Sequence, residues 1–473
     1  MSVGTTTGAG AMQPLQHVGD VPLGVTLFFA AILLAMITSL ALEEKLHAKK
    51  SVIVGLFAVL CLILGAFMEL LPFGEVTLPN GHQVKLPEFI PSIDWGVITI
   101  ILGSSIFVDV TSKSGLFTWI AIKMTKASKG DPFLLLIYYG VMTVVFSAVL
   151  NNVTAMIIVG SLSAVSLARL ERMDKLLGFL LIEGLLTNVG GLLTLISSVP
   201  NIILGTTAGI GFVTFFIKAS PYVVVTTAAT LLLGAKLFGI RRLRPEQRPL
   251  AAEQVSVFDE NDGIESTGFF WFASVMLALF IVFIAGASFE GWAIGKLGMG
   301  FVAMAFALIM LIRYKAEAHT FYSTVDWDLI LFFVFLFVTI HVMEQAQVLE
   351  LIGKGFAPII DLGAILGGGT LLVVSALASS VTDNIPLAAM LAKILSSPSF
   401  ATPADSPLWW SVIFGANLGG NLTPIGSAST LVAVTVMHKH GVGVSFARFV
   451  VMALPYAVLH ILLAIVYVLV FLT

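Results

Sequence analysis

Cysteine and charge are the two things this sequence has least of. A single cysteine, Cys61, rules out an intrachain disulfide and any cysteine-ligated metal cluster, and inside an apolar run it reads as a small core residue. Asp, Glu, Lys and Arg make up 11% of the 473 residues, where an average soluble domain carries roughly a quarter. A soluble helical protein would need polar faces that these segments lack. The net charge of −3, with no basic tract, points to no nucleic-acid partner. Phosphate loops, paired metal-ligand motifs and nucleophile–base constellations are missing as well. The Gly367-Gly368-Gly369 run is followed by no Lys-Ser/Thr pair, so nothing suggests ATP-driven work, an enzyme or a cofactor.

What fills the chain is apolar: 58% of residues are hydrophobic, in runs long enough to cross a bilayer, which takes about 20 residues. Candidate spans are 22–42, 52–72, 95–112, 176–205, 212–238, 267–286, 291–312, 327–345, 408–437 and 446–472. Two further helical stretches, 132–170 and 367–397, are broken near their middles. The fold class is therefore an all-α polytopic membrane protein in contact with the lipid bilayer. Residues 1–20 lack the basic region of a signal peptide and read as a short flexible tail. Asn80-Gly81 suggests a tight turn.

The two halves repeat each other. "SIDWGVI" at 92–98 matches "TVDWDLI" at 324–330, placing Asp326 232 residues after Asp94, and Asn384 likewise follows Asn152 by 232. "TNVGGLLTLISSVPN" at 187–201 matches "ANLGGNLTPIGSAST" at 416–430, with seven identities in fifteen positions and Asn417 lying 229 after Asn188. Pro221-Tyr222 and Pro455-Tyr456 are 234 apart. The domains read as a first repeat, 21–238, a polar linker, 239–266, and a second repeat, 267–473.

Topology follows from charge, because Lys and Arg concentrate in cytoplasmic loops. Placing Lys45/Lys49/Lys50, Lys113/Lys123/Lys126/Lys129, Arg169/Arg172/Lys175, Arg241/Arg242/Arg244/Arg248, Arg313/Lys315 and Lys439/Arg448 inside puts the N-terminus outside and makes the linker cytoplasmic. The stretch 132–170 then enters and leaves on the cytoplasmic side, as a re-entrant hairpin tipped at Asn151-Asn152. Its mate, 367–397, enters from the opposite side, tipped at Asp383-Asn384. Each half has five spans and one hairpin, and an odd span count inverts the second half.

Irregular backbone at membrane depth survives only where protein or a watery cavity satisfies it. Transporters with inverted repeats bind substrates and coupling ions at such breaks. The candidate site residues are therefore Asn151, Asn152, Thr154, Asn188, Gly190, Gly191, Thr194, Ser198 and Asn201 from one half. The other half supplies Asp383, Asn384, Asn417, Gly419, Gly420, Thr423 and Ser427, with Ser197 and Ser429 adding hydroxyls. Asn oxygens and hydroxyls suit Na⁺, expected at the Asn152/Asn188 and Asn384/Asn417 tips, while helix N-termini attract anions. The competing explanation, that small residues only allow close helix packing, accounts less well for paired motifs at paired breaks. Carboxylates at membrane depth are costly, so Asp383 and Glu183, about one helical turn before Asn188, are the proton-coupling candidates. His341 reads as a hydrogen-bonded structural histidine, and His438 and His440 as parts of a solvated basic loop.

"VTSKSGLFTWIAIK" (111–123), "LNNVTAMIIVG" (150–160), "IEGLLTNVGGLLTLISSVPNIILG" (182–205), "DNIPLAAML" (383–391) and "GANLGGNLTPIGSAST" (415–430) together resemble the ion transporter superfamily. The branch they resemble holds arsenite permeases, NhaD-type sodium/proton antiporters, citrate transporters and the P protein, with dicarboxylate/sodium symporters as more distant relatives. That resemblance implies a homodimer whose hairpins and broken helices move as an elevator against a scaffold formed by 22–72 and 267–312. It implies a secondary active transporter coupled to Na⁺ or H⁺, in a bacterial inner membrane. Two departures stand out: Asn151-Asn152 where the branch reads Asp-Asn, and Ser197-Ser198 where it reads Gly-Asp. Fewer carboxylates and more hydroxyls add weight to symport of a small inorganic or carboxylate anion. An ion channel is the rival of another class.

Overall fold

The computed structural model describes residues 21–71, 75–77, 83–85, 87, 89–289, 293–316, 318–382 and 384–472. It is helical apart from a two-stranded antiparallel hairpin, Glu75–Thr77 with Gln83–Lys85, in which Val76 faces Val84. The Asn80-Gly81 turn lies between these strands, outside the described residues. Among the described residues nine helices are long and apolar enough to cross a membrane. Their outer faces carry bare apolar side chains such as Leu34, Leu56, Phe67 and Val451, as a lipid-facing surface requires.

The chain divides into two compact units. One comprises residues up to Asp94 together with Leu331–Ile352. In it Leu23–Ala41 packs on Lys50–Phe67, and His47 turns the chain between them in the left-handed region, with φ of 49°. Gly55 lets the ring of Phe335 approach: a Cβ there would sit 3.0 Å from two ring carbons.

The second unit comprises Trp95–Ile330 and Gly353–Thr473. Within it Trp95–Ser112 crosses Gly298–Leu311 at near backbone contact, since a Cβ on Gly103 would lie 2.5 Å from the Ala303 carbonyl carbon. Small residues allow such crossings in place of any water-driven attraction between helices. Phe107 stacks on Phe280 at 4.4 Å beside this crossing. The segment 267–311 thus belongs to the same compact unit as the hairpins.

The first hairpin consists of Pro132–Val149 and Asn152–Arg169. Asp131 starts it by accepting hydrogen bonds from the Phe133 and Leu134 amides, with Pro132 at the first helical position. Leu150 and Asn151 adopt extended backbone and break it, and the Asn151 side chain caps the second arm by accepting from the Thr154 amide at 2.7 Å. The second hairpin is Gly363–Val381 and Asn384–Ser396. Both broken helices appear where the Asn-Gly-Gly words stand. The first runs Leu176–Gly191, a short 3₁₀ turn at Leu195–Ser197, then Val199–Thr207. The second runs Pro407–Gly419, then Ala428–Lys439.

The stretch 239–266 is docked rather than loose. It contains a helix, Arg248–Ser256, and the Leu243 amide donates to Asp131 Oδ2 at 3.0 Å. Glu260 is gripped by the ammonium groups of Lys123 and Lys126, which hold its carboxyl down at about 2. Both lysines lie on the helix Leu116–Ala127, whose start depends on Gly115 at φ 82°.

Candidate functional site

The break in the first helix begins at Asn188, which is 3% exposed. Its Oδ1 accepts from three side chains: Asn152 Nδ2 at 3.3 Å, Ser427 Oγ at 2.8 Å and Ser429 Oγ at 3.4 Å. Its Nδ2 donates to Asn421 Oδ1 at 2.8 Å. The hairpin tip, the first broken helix and the second broken helix therefore meet at one carboxamide. Each arm of the first hairpin has 18 residues, long enough at about 1.5 Å per residue to cross a bilayer. Its tip nevertheless ends against this break.

In the second half, Asn417 stands where Asn188 stands in the first. Its Oδ1 accepts from Ser198 Oγ at 2.6 Å, and its Nδ2 donates to Asn201 Oδ1 and to the Ile413 carbonyl, both at 2.8 Å. The two bonds, Ser427 to Asn188 and Ser198 to Asn417, are reciprocal. Each joins the Asn closing one half-helix to the serine that opens the other half's second helix. Ser198 and Ser427 occupy the N-cap positions of Val199–Thr207 and Ala428–Lys439 without capping them, since their hydroxyls go to the two asparagines.

Three more contacts recur at the spacing of the repeat. Ser147 Oγ lies 2.6 Å from the Thr187 carbonyl, and Ser379 Oγ, 232 residues on, lies 2.6 Å from the carbonyl of Ala416. Thr194 Oγ1 donates to the Ala148 carbonyl at 2.7 Å, and Thr423 Oγ1, 229 residues on, to that of Ser380 at 2.6 Å. A Cβ on Gly190 would fall 2.7 Å from the Val144 carbonyl oxygen, and one on Gly419 would fall 2.2 Å from that of Ala376. Here only glycine admits the hairpin backbone.

The remaining expected residues divide. Asn201 Nδ2 donates to the Gly191 and Thr194 carbonyls at 2.7 and 3.0 Å, bracing the break from within. A Cβ on Gly191 would meet the Asn152 amide at 3.1 Å, and one on Gly420 would meet the Gly426 carbonyl oxygen at 3.0 Å. Asn151 serves the helix cap and is exposed; Thr154 donates its amide to that cap. Asn384 opens the second arm of its hairpin and is not joined to Asn417, which is committed to Ser198 and Asn201. Asp383 lies outside the described residues. Glu183 is fully buried but joins another neighbour: Ser163 Oγ donates to its Oε1 at 2.5 Å, and its Oε2 has no hydrogen-bond partner among the described residues. Among those residues no group of three His, Cys, Asp or Glu side chains could hold a metal ion.

Sequence reasoning missed Ser147, Ser379, Asn421 and His460. Extending the repeat alignment by a few residues from the hairpin tips would have paired the two serines. Asn421 and His460 have no polar equivalent of their kind, for Leu192 and Thr226 occupy the matching places in the first half.

A membrane-embedded bundle of this kind, with interrupted helices held together by buried amides and hydroxyls, defines the chain as an integral membrane protein of the transporter class. More particularly, the chain belongs to the CitMHS citrate transporter family, whose model matches residues 21–415. It is 30% identical to a 46 kDa membrane protein of Mycobacterium leprae, over 83% of this chain and 90% of that protein. It is also 30% identical to an uncharacterized transporter of Mycobacterium tuberculosis, over 76% of this chain and 82% of the relative. The human P protein is 25% identical across 96% of this chain, which spans 60% of that longer protein. In fold, the chain resembles MtrF of Neisseria gonorrhoeae, described as one of a class of antimetabolite efflux pumps, with a TM-score of 0.57 and 14% identity over 90% of this chain and 95% of that one. It also resembles the YdaH transporter of Alcanivorax borkumensis, with a TM-score of 0.53 and 12% identity over 94% and 98% of the two chains.

Proposed function

We propose that the protein is a secondary active ion transporter of the permease or antiporter type, coupled to Na⁺ or H⁺ and working by alternating access. The observation that carries this reading is the reciprocal pair of buried bonds, Ser427 to Asn188 and Ser198 to Asn417. It ties the interruption of each broken helix to the start of the other's second half. Such an arrangement presents oxygen ligands and uncapped first-turn amides in one place, and so suits a cation together with an anion.

In this reading 21–238 and 267–473 are inverted repeats joined by a cytoplasmic linker, and the N-terminus is outside. The hairpins and broken helices travel as an elevator within a homodimer in a bacterial inner membrane. The site is built from Asn151, Asn152, Thr154, Asn188, Gly190, Gly191, Thr194, Ser198 and Asn201, with Asp383, Asn384, Asn417, Gly419, Gly420, Thr423 and Ser427 from the second repeat. Asp383 and Glu183 handle the proton or balance Na⁺, and the protein needs no cofactor and catalyses no reaction.

A second reading, symport of a small carboxylate anion, is favoured by the description of the family model as a citrate transporter. Citrate uptake into proteoliposomes under an inward Na⁺ or H⁺ gradient separates the two: accumulation above the external level supports symport, and gradient-driven cation exchange without citrate supports antiport. Unitary currents with no counterflow would instead make the protein a channel. Asp383→Asn is expected to abolish or shift the dependence of flux on pH and Na⁺; unchanged dependence removes Asp383 from the coupling role.

A further inference from the structure

One arm of the polar network has no counterpart in the other half, and its hydrogen bonds run in one direction. Thr230 Oγ1 reaches two neighbours, the Thr226 carbonyl and His460 Nε2, each at 2.7 Å. With its one proton given to the carbonyl, Thr230 accepts from an imidazole protonated at Nε2. His460 Nδ1 then accepts from Asn421 Nδ2 at 3.1 Å. Asn421 Oδ1 is turned toward Asn188 and accepts from its Nδ2 at 2.8 Å. The last step leaves Asn188 Oδ1 facing Asn152, Ser427 and Ser429. Thr230, His460 and Asn421 are all fully buried.

The other asparagine needs no such arm. Asn417 Nδ2 donates directly to the Ile413 carbonyl, so the backbone fixes its orientation. The partners of Asn188 do not fix it in that way. Ser427 and Ser429 are hydroxyls that donate or accept, and Ser147 Oγ, 2.5 Å from Asn152 Oδ1, also reaches the Thr187 carbonyl. Orientation at Asn188 therefore comes from Asn421, and at Asn421 from the imidazole.

We propose that His460 is a positioning residue for ion recognition: acting through Asn421, it holds the Asn188 carboxamide with its oxygen toward Asn152, Ser427 and Ser429, and so makes that cluster a ligand set for a monovalent cation. The proposal rests on the transporter reading for its purpose but not for its geometry. Tyr222 OH donates to the His460 backbone carbonyl at 2.9 Å, and Tyr456 lies one turn earlier on the same helix. On Phe212–Leu237, Lys218 lies against the Trp410 ring and Lys236 is exposed; Gly363–Val381 and Pro407–Gly419 carry no titratable residue. Phe212–Leu237, Gly363–Val381 and Pro407–Gly419 thus bring no carboxylate to the imidazole, which in this proposal acts as a relay of fixed polarity.

The test is the stabilisation of the purified full-length protein by NaCl against choline chloride, read as a shift in unfolding temperature, alongside Na⁺-dependent flux in proteoliposomes. The wild type is expected to be stabilised by Na⁺. His460→Leu should raise the half-saturating Na⁺ concentration at least tenfold. His460→Gln, whose carbonyl accepts from Asn421 while its amide donates to Thr230, should stay within threefold of the wild type. Thr230→Val, which frees the imidazole tautomer, should fall between, and it decides the matter if His460→Leu does not fold. A wild type indifferent to Na⁺ would overturn the proposal, as would a folded His460→Leu or Thr230→Val with wild-type half-saturation, or a folded His460→Gln as impaired as His460→Leu. If flux is absent while the Na⁺ shift and its dependence on His460 persist, the transporter reading fails and the positioning role stands.

Discussion

Ser198 and Ser427 make equivalent bonds, yet their losses should not be equal. Among the described residues Asn417 Oδ1 accepts from Ser198 alone, whereas Asn188 Oδ1 accepts from Asn152, Ser427 and Ser429. Ser198→Ala therefore strands a buried acceptor, at a cost of about 1–3 kcal/mol. Ser427→Ala leaves Asn188 with other donors and should cost about 0.5 kcal/mol, near the average for polar contacts between membrane helices. Chemical denaturation of the two variants in mild detergent checks the order, and equal losses would count against the bond assignment. Glu183 makes a separate prediction. Gln at this position keeps the acceptor for Ser163 but cannot exchange a proton, so Glu183→Gln should leave the protein folded and cut proton movement at least tenfold, as followed with a pH-sensitive dye inside vesicles. Undiminished proton movement would remove Glu183 from the coupling role. Asn188, Gly190, Gly191, Thr194 and Ser198 were legible because the repeat displays them again as Asn417, Gly419, Gly420, Thr423 and Ser427. Asn421 and His460 escaped because Leu192 and Thr226 stand opposite them, and the direction of a hydrogen-bond chain cannot be read from residue types alone.

At the level of elements, both hairpins, both interruptions and the spans Trp95–Ser112, Thr267–Gly286 and Trp327–Gln345 were evident from apolar run length and from the Asn-Gly-Gly words. The helices Leu116–Ala127 and Arg248–Ser256 were not, because each is too short and too polar to register as a span and owes its place to tertiary contacts. The docking of 239–266 was equally invisible, since it depends on Glu260 meeting two lysines more than a hundred residues away in sequence. Those lysines depress the Glu260 carboxyl to about 2, so the clamp is complete above the ordinary glutamate range and weakens as pH falls from about 4.5 toward 2. Limited proteolysis across 239–266 should accelerate over that window, and Glu260→Gln should make it fast and independent of pH there. Protection that ignores both pH and the substitution would contradict the clamp. The close approach at the second break is as specific. Gly419→Ala drives a methyl to 2.2 Å from a backbone oxygen and should cost about 1–3 kcal/mol or more. Gly24→Ala, with open space around it, should be tolerated.

For the whole molecule, the contacts recurring at offsets of 229 and 232 make one device out of two halves. Ser147 and Ser379, Thr194 and Thr423, and Gly190 and Gly419 each fasten a hairpin to the break of its own half. Ser198 and Ser427 fasten the halves to each other. Substituting either asparagine should therefore disable the whole device, because each break takes part in holding the other. The identity of the ion was not legible, since amides and hydroxyls serve cations and anions alike and, among the described residues, no charged clamp such as an arginine fork narrows the choice. The most direct measurement is ion-replacement flux in proteoliposomes with a pH-sensitive dye inside, comparing the wild type with Asn188→Ala and Asn417→Ala. The account predicts gradient-driven movement of Na⁺ or H⁺ in the wild type and at least a tenfold loss in each variant, with protein insertion unchanged. Equal flux in all three proteins would contradict it.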